Sequence, residues 1–108
     1  MNKFEQYLKD NGFIIETVRE GLHDEYTHFN IIGKSPIYDF DICITIEYLV
    51  PEEIIDNLLN NFDYDMVIED IEYCTKGKYS YSEIMYEIEQ WINETVALIK
   101  LYINNNNK

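Results

Sequence analysis

Positive charge is what this sequence lacks most. Eight Lys and Arg residues stand against 21 Asp and Glu in 108 positions, a formal net charge of -13 at pH 7. A comfortable magnitude for a small domain is about 2 to 8. Free nucleic acid and anionic membranes both need cationic side chains against their phosphates, so the composition argues against either as a ligand. Only four glycines are present, and there is no G-x-G-x-x-G or G-x-x-x-x-G-K-[ST] loop to cradle a nucleotide. No G-x-S-x-G elbow occurs. The two histidines, His23 and His28, are five apart, which puts them on opposite faces of an extended segment. Cys43 and Cys74 have no neighbours at zinc-finger spacing. No metal and no cofactor are expected. The apolar runs are only a few residues long, too short to span a bilayer. The start, Met1 to Glu5, carries an early acid and no hydrophobic signal region, so the expected compartment is the cytoplasm. In that reducing setting the two cysteines are expected as free, buried thiols.

What is present is enough to fold. Apolar residues make up 46% of the chain and aromatic residues 15%, which supports one small core despite the charge. The pattern predicts an α+β domain over residues 1–103, with an Asn-rich flexible tail over 104–108. A short N-terminal helix, Asn2 to Asp10, would be capped by Asn2 and stopped by Gly12. Phe13 to Glu20 and His23 to Ile32 read as strands, with a turn at Gly21 and another over Gly33 to Pro36.

Ile37 to Leu49 reads as the clearest strand. Tyr38, Phe40, Ile42, Ile44, Ile46 and Tyr48 alternate with Asp39, Asp41, Cys43, Thr45 and Glu47. One apolar and one polar face suit an antiparallel three-stranded sheet. Pro51 then opens a helix with an apolar stripe at Ile54, Ile55, Leu58, Leu59 and Phe62. Asp63 to Cys74 fits helix or strand, with helix preferred. Ser80 and Glu83 form a capping box for a long C-terminal helix that reaches Ile103 and packs on the sheet. Its buried side is read as Ile84, Ile88, Trp91, Ile92, Thr95, Ile99 and Ile103, with Trp91 as a core anchor.

The acids are unevenly placed. From Ser35 to Thr75 there are eleven and no Lys or Arg: Asp39, Asp41, Glu47, Glu52, Glu53, Asp56, Asp63, Asp65, Glu69, Asp70 and Glu72. Such a stretch generates a one-signed field that steers a basic partner. Asp39 and Asp41 on one strand would lie about 6.8 Å apart, near two steps of phosphate rise along one nucleic-acid strand. Tyr73, Tyr79 and Tyr81 flank the Lys76-Gly77-Lys78 loop, and exposed tyrosines beside acids suit a protein interface. These eleven acids and three tyrosines are the candidate partner-binding residues. Paired carboxylates also serve hydrolases, but those need a cleft with one raised acid, and so short a chain has little material for one. No catalytic residue is assigned, and the chain is not expected to be an enzyme.

In size, charge and composition the whole chain resembles the small acidic proteins of phages and mobile elements that block CRISPR nucleases or restriction enzymes. The resemblance contains no motif, so it carries over no functional residue. It implies an inhibitor acting in a bacterial host cell by imitating nucleic acid on a basic nuclease. Two other readings share the composition. One is an immunity protein or antitoxin that neutralises a cognate basic toxin; the other is a soluble structural or assembly subunit.

Overall fold

The structure, a computed structural model, describes residues 3–20 and 26–106. The elements run α1 (Lys3–Asp10), β1 (Ile14–Glu20), β2 (Tyr26–Lys34), β3 (Asp41–Ile46), α2 (Pro51–Asn60), α3 (Tyr64–Cys74) and α4 (Tyr81–Asn106). The strands form an antiparallel sheet in the order β1-β2-β3. This is the expected α+β arrangement, with a short helix first and a long helix last.

Register follows side-chain alternation. Ile15 pairs with Ile31, which pairs with Ile44, and these point to the core. Along β3, Ile42, Ile44 and Ile46 are buried while Asp41, Cys43 and Thr45 face outward. Beneath that face lies α4, contributing Ile84, Ile88, Trp91, Ile92, Val96 and Ile99. Phe4 and Leu8 of α1, Ile54 and Leu58 of α2, and Val67, Ile68 and Ile71 of α3 complete one core. Gly33 is needed where the sheet meets α4. A Cβ there would lie 2.4 Å from Nε1 of Trp91, so only hydrogen lets strand and indole approach.

Local chemistry sets the helix ends. Gly12, at φ +90°, turns the chain from α1 toward β1. Pro51 occupies the first turn of α2, and Asp63 caps α3 by accepting from the Met66 amide at 3.1 Å. Residues 64–74 are therefore helix. Ser80 and Glu83 exchange the expected pair of bonds, Ser80 N–H to Glu83 Oε1 at 2.9 Å and Glu83 N–H to Ser80 Oγ at 3.2 Å.

Several expectations shift. β2 runs to Lys34, so Gly33 and Lys34 belong to the strand and the turn comes later. β3 is only Asp41–Ile46, shorter than Ile37 to Leu49. Ile37 and Tyr38 lie in a turn, Tyr48 is 61% exposed, and Leu49 is buried in its place. Leu59, read as part of the α2 stripe, is exposed. The last helix reaches Asn106, where the Asn106 side chain donates to the Tyr102 carbonyl at 2.9 Å. Val96 joins its buried side, and Ile103 is only half-buried. Both cysteines are free, but neither is buried as expected; each is exposed. The positions of Asn2, Gly21 and His23 lie outside the described residues.

Candidate acidic interface

The connection from β2 to β3, residues 35–40, is held from four directions. The Ser35 amide donates to the Phe40 carbonyl at 2.8 Å, and the Phe40 amide donates to Ser35 Oγ at 3.0 Å. From below, Oε1 of Glu87 accepts the Ile37 amide at 2.7 Å and the Tyr38 amide at 2.9 Å. Tyr38 donates its hydroxyl to Glu83 Oε2 at 3.0 Å. Its ring lies 4.7 Å from that of Tyr79, which also contacts Phe40 at 5.5 Å. Between these restraints Asp39 takes φ +62°, a left-handed conformation that aspartate tolerates better than most residues.

Asp39 is therefore not a strand residue, so the spacing of about 6.8 Å expected for it and Asp41 on one strand no longer follows from strand geometry. What replaces it is a cleft of about 440 Å³ between this loop, the edge of β3 and α3. Asp39 and Asp41 share it with Asp70, 31 positions on from Asp39. Phe40, Val67 and Ile71 supply buried apolar lining, and both cysteines border it. Although Cys43 is exposed as a residue, its sulfur is partly buried, and that desolvation is the main cause that pushes the thiol up; the charges of Glu16, Asp70 and Asp41 add to it. A thiol held protonated in this way is a poor nucleophile.

Lys34 is the one base at the cleft among the described residues. It pairs with Asp41, and that bond, followed by the Asp41 and Asp39 charges, raises its ammonium above the usual lysine value. Glu83, on the other side of the loop, is held below the usual carboxylate value. The Ser80 amide is the first cause, ahead of the Tyr38 hydroxyl.

The remaining candidate acids are dispersed. Glu47 lies just past β3; Glu52, Glu53 and Asp56 are on α2; Asp65, Glu69 and Glu72 are on α3, with Asp63 capping it. Ten of the eleven are exposed and Glu53 is half-buried. Among the described residues, only Asp41 of the eleven has a basic partner. Asp56 instead accepts from the amides of Asn60 and Asn61. The three tyrosines separate in role. Tyr73 is 85% exposed and Tyr81 is exposed, whereas Tyr79 is half-buried against Tyr38 and Phe40.

Sequence reasoning missed Glu87. It is fully buried, and among the described residues Oε2 has no hydrogen-bond partner while Oε1 holds two amides. A signal existed: Glu87 falls between Ile84, Ile88 and Trp91 on the apolar stripe of α4, and a buried carboxylate requires donors. Among the described residues, no group of three or more His, Cys, Asp or Glu is arranged to hold a metal ion. No helix there is long and apolar enough to cross a membrane. No family model matches the chain, and no curated protein or solved structure matches it either.

Proposed function

We propose that the chain is an acidic, non-enzymatic inhibitor that binds the basic nucleic-acid-binding surface of a nuclease, such as a CRISPR effector, by taking the contacts reserved for phosphate. One observation carries this reading. The eleven acids of the central segment are spread over three elements and their connections, and among the described residues only Asp41 of them forms an ion pair with a base. Internal ion pairs therefore leave their negative field largely uncompensated, and a cationic groove complements it. Three exposed acids, Asp65, Glu69 and Glu72, lie on α3, the helix that also carries the exposed Tyr73. Aromatic area next to carboxylates is the composition of a protein interface rather than of a purely solvating surface.

The test is inhibition of DNA cleavage by purified CRISPR effector complexes and restriction nucleases. Inhibition should be relieved by excess non-cleavable duplex, and association should slow steeply as salt rises. Each exposed ion pair contributes about 0.2 to 1 kcal/mol, so a D65N/E69Q/E72Q variant should need about tenfold more protein for the same inhibition. Inhibition indifferent to duplex would replace mimicry with an immunity-type or allosteric mode. If no nuclease in the panel responds, the inhibitor reading is wrong.

A further inference from the structure

We infer that the cleft between the Ser35–Phe40 loop, β3 and α3 receives one arginine side chain of the basic partner. This rests on the inhibitor reading and names the part of the surface that gives it specificity. The acids alone would not define such a place, since carboxylates are common over this protein. What distinguishes the cleft is apolar lining below a charged rim. Phe40, Val67 and Ile71 are each less than a tenth exposed, and they lie beneath Asp39, Asp41 and Asp70.

Arginine has the matching construction. Its methylene stem covers apolar surface while the guanidinium reaches outward with five donors. Three carboxylates and one lysine leave the cleft with a formal charge of -2. Lys34 is engaged by Asp41, so among the described residues Asp39 and Asp70 are the two acids of the cleft that form no ion pair. A planar guanidinium engages several acceptors at once better than a lysine ammonium does. The loop wall is ordered in advance by Glu87, Ser35 and the Tyr38–Tyr79–Phe40 ring contacts, so less ordering entropy is lost on binding. A second copy of this chain is disfavoured there by its own charge of -13.

The experiment follows amide shifts of the ¹⁵N-labelled full chain during titration with a blocked Gly-Arg-Gly peptide, with lysine and norleucine versions alongside. The arginine peptide should produce saturable shifts centred on Asp39, Phe40, Cys43, Asp70 and Ile71. The lysine peptide should bind more weakly, and the norleucine peptide should not bind. A D39N/D70N variant should lose about tenfold in affinity, the sum of two modest ion pairs. Asparagine also accepts the left-handed backbone at position 39, so the fold should survive, and the same spectra check this.

A Glu89→Gln/Glu94→Gln variant removes the same charge from exposed positions on α4 and should bind the peptide as wild type does. Shifts spread evenly over all acidic surfaces, equal binding of the norleucine peptide, or equal losses in the two variants would overturn the cleft. The inhibitor reading is scored separately. If D39N/D70N inhibits a nuclease as well as wild type, the cleft fails and that reading stands. Peptide binding in the cleft of a chain that inhibits no nuclease leaves the cleft standing alone.

Discussion

Three places on this protein hold glutamates that differ only in surroundings. Glu87, under the Ser35–Phe40 loop, is fully buried and holds two backbone amides. Glu83, one turn earlier on α4, is at the surface but bonded to Ser80 and Tyr38. Glu52 and Glu53 open α2 without a side-chain cap and, among the described residues, without a basic partner. The first has become part of the architecture, the last pair remain available to a partner, and Glu83 stands between. Thus the net charge of -13 overstates what can act outward, because each acid's environment decides its role.

The sharpest way to break this ranking is Glu87→Ala. It removes the shared acceptor of two backbone amides and leaves a void, and should destabilise the fold by about 3 kcal/mol. Chemical denaturation measures it. Glu87→Gln keeps an acceptor and should lose less. If both variants unfold like wild type, Glu87 does not anchor the loop.

Gly33→Ala probes the same end of the molecule from the sheet side. The added carbon meets the Trp91 indole at 2.4 Å, so strand or ring must move. Overpacking of this kind costs about 1 to 3 kcal/mol. The Trp91 fluorescence spectrum should shift together with the loss of stability. An unchanged midpoint would show that the strand–helix contact is looser than its geometry.

These two residues also mark where the sequence stopped being legible. The Ile42–Ile44–Ile46 alternation, the apolar stripe of α4 and the Ser80–Glu83 box are local signals, and they located elements correctly. The alternation also runs on through Tyr38 and Tyr48, where the backbone has left the sheet. Alternation records which face a strand would bury; it does not record whether a neighbouring strand is there to pair with. β2 ends at Lys34 opposite Asp41, so among the described residues no strand pairs with Tyr38. The competing attraction is Glu87, 49 positions away, which takes the Tyr38 amide. The same holds for the cleft. The density of acids was visible in the chain, but the approach of Asp70 to Asp39 depends on how α3 packs along β3.

The capping box tests the intermediate case. Ser80→Ala removes one side-chain acceptor from the start of α4 and should cost about 1 kcal/mol. The Glu83 half can be followed by pH. Its carboxyl is held below the ordinary value of 4.5, chiefly by the Ser80 amide. Above 4.5 it is ionised in both folded and unfolded chains, so its full contribution is present. As pH falls through the lowered value, protonation of the folded form removes that contribution. The stability difference between wild type and Glu83→Gln should therefore be flat near neutrality and shrink on acidification below 4.5. A difference that persists in strong acid would mean that the charge is not what Ser80 and Tyr38 hold.

The smallest effect should come from Glu52→Gln with Glu53→Gln. Both residues sit in the first turn of α2, where their charge favours the helix dipole by about 0.3 to 1 kcal/mol each at low salt. Removing them also relieves repulsion within a chain of charge -13, which acts in the opposite direction. The two terms nearly cancel, so the expected change in stability is within about 0.5 kcal/mol. Adding salt should shrink both terms together and leave the small difference small. A loss as large as that of Glu87→Ala would end the distinction between acids that build the fold and acids that face outward.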